Sequence, residues 1–115
     1  ARRQGRTIGD LQAAELEWGN DDHMCTITKS GRFDIAICCD VLGTESAVPQ
    51  VASTLDRCLK EGGLAIFFQS VWFPTVQKKL THLLKERAVQ WRDVDRSALR
   101  KAGVTEVNVK LVFWQ

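Results

Sequence analysis

Arg32-Phe33-Asp34-Ile35-Ala36-Ile37-Cys38-Cys39-Asp40-Val41-Leu42-Gly43 is one of two segments that decide the fold; the other is Lys60-Glu61-Gly62-Gly63-Leu64-Ala65-Ile66-Phe67-Phe68-Gln69. Each holds a short apolar run rich in β-branched or aromatic residues, the composition of a strand. No polar residue interrupts Phe33 to Cys39 after Asp34, which predicts a strand buried on both faces. Between the runs, Thr44 to Leu59 repeats apolar residues at Val48, Val51, Ala52, Leu55, Cys58 and Leu59, one face of a helix. Ser46 is the expected cap, Pro49 suits the first turn, and Gly62-Gly63 is the expected stop. Strand, helix and strand make a βαβ unit, which needs cover on both faces.

Outward from this unit, the pattern continues as an α/β chain. Leu11 to Trp18 alternates weakly and reads as a short strand ended by Gly19-Asn20-Asp21-Asp22. Residues 20–32 are polar, with Cys25 to Thr28 as a β-prone patch. Trp72 to Arg87 is amphipathic, with Phe73, Val76, Leu80, Leu83 and Leu84 on one face. Asp95 to Lys101 forms a short helix ended by Ala102-Gly103. Val104 to Trp114 alternates Val107, Val109, Leu111 and Phe113 against Asn108, Lys110 and Val112, a final strand. The simplest architecture is a mostly parallel sheet with a right-handed crossover.

At 115 residues the chain is one domain or part of one, here residues 11–115 behind a polar, Arg-rich lead-in over 1–10. Hydrophobic residues at 44% and charged residues at 26% fit a globular chain with a small core. The net charge of +2 is mild, and the basic clusters at Arg2-Arg3, Lys78-Lys79 and Arg100-Lys101 read as solvated surface rather than a nucleic-acid footprint. No apolar run reaches the roughly 18 residues that span a membrane. The first residue is Ala1, not Met, as expected of a processed chain or a piece of a longer one. Cys25, Cys38, Cys39 and Cys58 show no Cys-x-x-Cys spacing and no paired histidines. On a strand, Cys38 and Cys39 point to opposite faces, which suits neither a mutual disulfide nor shared metal ligation. They read as buried small hydrophobes in a reducing, intracellular and cytoplasmic setting, an organelle remaining open.

Phe33-Asp34-Ile35-Ala36-Ile37-Cys38-Cys39-Asp40, the helix ending Leu59-Lys60-Glu61-Gly62-Gly63 and the strand Leu64 to Phe68 resemble the middle of a class I, seven-stranded S-adenosylmethionine-dependent methyltransferase. Leu16-Glu17-Trp18-Gly19 is similar to a segment of the protein-lysine methyltransferase branch in which a Trp lies against the adenine. Leu99 to Val104 is similar to the end of the family's last helix. The resemblance covers about residues 11–114. It implies the C-terminal part of a Rossmann-like sheet, mostly parallel, with an antiparallel C-terminal strand. It further implies an S-adenosylmethionine cofactor and a protein substrate such as lysine. Two features depart from the family. The glycine-rich cofactor loop has no counterpart, so an upstream segment or second chain is expected to complete the sheet. After Asp40, Gly43 stands where the lysine-specific branch has an aromatic residue.

The candidate cofactor-binding residues are Trp18, Cys39 and Asp40. Ligands of open α/β sheets bind beyond the carboxyl ends of the strands, where Asp40 is placed. A carboxylate there can hold an ammonium group, or can be a loop acid satisfied by nearby N–H groups. Trp18 can stack on a base or pack as rim, and Cys39 can offer its backbone to a ligand or merely pack. Gln69 and Ser70 fall at the same sheet edge. Methyl transfer from a sulfonium needs alignment and exclusion of water more than acid–base groups, so no catalytic constellation is required. Two functions remain open: an active methyltransferase, or a non-catalytic subunit or assembly factor of the same fold. A generic nucleotide-binding domain ranks below both for want of a phosphate loop.

Overall fold

A computed structural model describes Gly9 and residues 11–114, so the lead-in expected over 1–10 lies almost wholly outside the described residues. The elements are α1 (Asp21–Ile27), β1 (Phe33–Cys39), α2 (Ala47–Cys58), β2 (Leu59–Gln69), α3 (Pro74–Glu86), β3 (Gln90–Asp93), α4 (Arg96–Lys101) and β4 (Asn108–Phe113). The strands form one mixed sheet in the order β1-β2-β4-β3. β2 is parallel to β1, and β4 is antiparallel to both β2 and β3. Three strands thus run one way and β4 runs against them, within the expected α/β class. No helix among the described residues is long and apolar enough to cross a membrane.

Several boundaries differ from expectation for local reasons. Leu11 to Trp18 is not a strand: it takes no place in the four-stranded sheet, and Leu11 is exposed. The β-prone Cys25 to Thr28 is mostly helical, because Asn20 caps α1 by accepting from the His23 N–H at 2.9 Å and two acids follow in the first turn. α2 starts at Ala47 without the Ser46 cap, since Ser46 is itself helical in backbone; Thr44 Oγ1 accepts from the Ala47 N–H at 3.3 Å instead. Gly62-Gly63 is not the helix stop. α2 ends at Cys58 and passes directly into β2, and the glycines sit in a bulge where the register jumps from Phe33–Leu59 to Ile35–Leu64. Gly62 there has φ of +79°, and a Cβ on Gly63 would lie 2.8 Å from Leu59 Cγ. β3 has no counterpart in the sequence reading.

Pairing register defines two faces. Cys38, Phe67, Lys110 and Asp93 form one row, and Ala36, Ala65, Val112 and Trp91 another. These rows carry the core, with Val48, Val51, Ala52 and Leu55 of α2 and Val76, Leu80 and Leu84 of α3 packed over them. The opposite rows are Ile35–Leu64–Phe113, Ile37–Ile66–Leu111 and Cys39–Phe68–Val109. The expectation that β1 is dry on both faces fails here: Ile35 is 56% and Ile37 66% exposed. Both helices of the core layer lie on the other side, and only the Val109 end of this apolar face is buried. Vicinal Cys38 and Cys39 do point to opposite faces, but Cys38 alone of the four cysteines is buried; Cys25 and Cys39 are exposed and Cys58 is intermediate.

The lower ends of the elements are tied by one carboxylate. Asp56 Oδ1 accepts from Arg87 at 2.5 Å and from the Trp114 indole N–H at 3.1 Å. Its carbonyl accepts from Arg32 at 2.8 Å, and the Arg87 guanidinium lies 5.6 Å from the Trp114 ring centroid. Trp114 is buried.

Candidate functional site

The carboxyl ends of β1 and β2 bring the chemically capable residues together. Asp40 follows β1 directly, with its N–H donating to Phe68 O at 2.8 Å, so the parallel ladder continues one residue past the strand. The chain then turns through a left-handed conformation, φ +50°, at Asp40 itself. Aspartate is one of the few non-glycine residues that tolerates this region. Its Oδ1 accepts from the Ser70 N–H at 2.8 Å and from Ser70 Oγ at 3.0 Å. Asp40 is thus bound as a loop acid, with Oδ2 open to solvent on an exposed residue.

A second tie lies beneath. Gln69 is buried, and its Nε2 donates to Leu42 O at 3.0 Å and Val71 O at 3.2 Å. The loops after β1 and β2 are therefore joined twice, at the surface by Asp40–Ser70 and inside by Gln69–Leu42. Gln69 Oε1 is buried without a hydrogen-bond partner among the described residues, a group that destabilises by roughly 1–3 kcal/mol while unmet. Next to this edge, Lys110 is buried to 4% exposure, 2.8 Å from Asp93 Oδ1 and 5.7 Å from the Trp72 ring centroid. A hollow of about 270 Å³ lies there, lined by Trp72, Gln77, Asp93, Val94, Asn108 and Val109. A larger one, about 500 Å³, runs along α3 alone and includes neither Asp40 nor Ser70.

Cys39 and Asp40 stand side by side, as the sequence requires. Because Asp40 N–H faces β2, the alternation of a parallel strand turns the backbone groups of Cys39 outward, to the unpaired side of β1. Trp18 is not joined to them. It lies on the turn before α1, whose first residue, Asp21, bonds Arg57 in the last turn of α2, at the amino end of β1 and β2. Burial pushes the Cys38 thiol up to about 11 and raises that of Cys58 as well, which makes these two poor nucleophiles. The Lys110–Asp93–Trp72 group was missed from sequence, since Lys110 falls on the polar half of an alternating pattern and β3 is only four residues long. No family model matches the chain, and no curated protein matches it significantly.

Proposed function

We propose that this chain is the C-terminal half of a class I S-adenosylmethionine-dependent methyltransferase domain acting on a protein side chain such as lysine, inside the cell. The observation that carries the reading is the sheet. A strand ending in an acid lies parallel to its successor, and an antiparallel C-terminal strand follows beside it, the arrangement the resemblance implies. Asp40 supports it further, held rigidly at the carboxyl edge with one oxygen free.

The residues present fit the rim of a cofactor site rather than its centre. Asp40 Oδ2 can accept from an ammonium or hydroxyl group, and the outward N–H and C=O of Cys39 can complete that contact. The cofactor, when bound, supplies an electrophilic methyl group. The protein's part is to hold a neutral amine in line with it and to keep water out. Within this chain, the double tie between the two loops fixes the Asp40 oxygen against the sheet, which favours preorganised contact.

A second reading, a non-catalytic subunit of the same fold, is favoured by Gly43 in place of the aromatic residue and by the engagement of Asp40 Oδ1 with Ser70. Titrating S-adenosylmethionine and its demethylated product into the complete protein separates the two. The enzyme reading expects binding that Asp40→Asn weakens about tenfold, a loss of roughly 1.4 kcal/mol, because Asn tolerates the same backbone and lacks the charge. Absence of binding, or binding indifferent to Asp40→Asn, refutes it in favour of the subunit.

A further inference from the structure

The segment ahead of α1 is held by an imidazole. Glu17, Trp18, Gly19 and Asn20 make a turn, closed by the Asn20 N–H donating to Glu17 O at 3.0 Å, with Gly19 at φ +81°. Asn20 caps α1 by accepting from the backbone N–H of His23. The ring of His23 reaches back in turn, its Nδ1 accepting from the Glu17 N–H at 3.0 Å. In a capping box the third helical residue is Glu or Gln and returns to the cap's own N–H. Here the third residue is a histidine, the side chain whose charge changes between about pH 5 and 8, and it reaches three residues further. An acceptor at Nδ1 fixes the ring as the neutral Nε2–H tautomer, because imidazolium donates from both nitrogens and accepts at neither.

The geometry points to His23 as a pH-sensitive latch on the arm formed by residues 11–17. Neutral, the ring closes the arm against the start of α1. Protonated, its Nδ1–H meets the Glu17 N–H donor to donor, the contact is lost and the arm is released as pH falls. α1 itself stays, since neither the Asn20 cap nor the Asp21–Arg57 pair uses the ring. The charged groups around the ring are Glu15 and Glu17 of the arm, Asp21 and Asp22 of α1 and, from α2, Arg57, which Asp21 engages. Glu15 Oε2 lies 4.0 Å from Nε2 but is 83% exposed, too solvated to hold the charged ring in place. The acids attract a proton to a ring that latches without one. Little apolar burial opposes release, for every residue of the arm except the half-buried Leu16 is exposed. The latch is independent of methyl transfer; Trp18, at the corner of the turn, is the residue whose surroundings it changes.

An NMR titration of the full chain between about pH 8 and pH 5 tests it. At the upper end the His23 ring nitrogens report the Nε2–H tautomer and the Glu17 amide is protected from exchange. As the ring titrates, that protection, corrected for the intrinsic pH dependence of exchange, falls roughly fivefold, as loss of one hydrogen bond requires. His23→Asn places an amide oxygen near the position of Nδ1 and does not titrate, so the Glu17 amide stays protected throughout; His23→Leu has no acceptor and leaves it unprotected throughout. His82, 3.1 Å from Glu86 on α3, titrates in the same interval and is present in every variant, which makes it the internal reference. Unchanged Glu17 protection while the His23 ring titrates overturns the proposal, as does an equal fall in His23→Asn.

Discussion

Replacing Asp56 separates two interactions that share one oxygen. Asp56 Oδ1 holds Arg87 at 2.5 Å and the Trp114 indole at 3.1 Å, which ties α2, the end of α3 and the end of β4 together. Asp56 and Arg87 are each more than a third exposed, so their ion pair contributes only about 0.2–1 kcal/mol. Trp114 is buried, and stripping the acceptor from a buried donor removes roughly 1–3 kcal/mol. Asp56→Ala is accordingly expected to destabilise by about 2–3 kcal/mol, and Asp56→Asn, which keeps a carbonyl acceptor, by no more than about 1 kcal/mol. Urea unfolding read by tryptophan fluorescence measures both, with the slope expected to stay unchanged. Near-equal losses for Ala and Asn would show that charge, not the indole hydrogen bond, carries the tie. A loss below about 0.5 kcal/mol for Ala would refute the reasoning outright.

Four further outcomes follow from the structure. Ala88 adopts φ +54° just after α3, where its N–H bonds Lys85 O and Val89 N–H bonds Leu84 O, so Ala88→Gly is expected to stabilise by about 0.5–1 kcal/mol in the same unfolding assay. Gly63→Ala places a Cβ 2.8 Å from both Leu59 Cγ and Lys60 O and is expected to destabilise by about 1–3 kcal/mol, whereas Gly43→Ala, with open space around it, changes little. Native thiol labelling at pH 8 should modify Cys25 and Cys39 quickly and Cys38 and Cys58 slowly, mapped by peptide mass. Since burial raises Cys38 from 9.0 to about 11, its stabilising contribution is complete below pH 9 and lost as pH climbs toward 11; Cys38→Ala should flatten that alkaline decline in melting temperature.

The βαβ unit was legible because its signals are local and agree: apolar runs of strand length, a helical repeat between them and a glycine pair after it. Elements whose form depends on a partner were not. Leu16 and Trp18 alternate like a strand yet join none of the sheet's four strands, and Cys25 to Thr28 carries β-prone residues that the Asn20 cap overrides. Gly62-Gly63 has the chemistry of a helix stop and serves a bulge instead, a difference that only pairing with Phe33 and Ile35 decides. β3 has no apolar period and exists because β4 offers an edge. At the candidate site, the position of Asp40 followed from strand direction. Its bond to Ser70, the Gln69–Leu42 tie and burial of Lys110 are long-range contacts that no spacing in the sequence encodes.

The passage of α2 into β2 at Cys58–Leu59, with no loop between them, has a mechanical consequence. Helix and strand share a rigid joint at the amino end of the sheet, stiffened by Arg32 donating to the carbonyls of Asp56 and Leu59. All slack in the crossover then resides at its other end, in residues 41–46, beside Asp40. Any rocking of α2 pivots about the joint and is taken up between the Gln69 tie at Leu42 and the start of the helix, so the Asp40 oxygen keeps its place while the loop beside it yields.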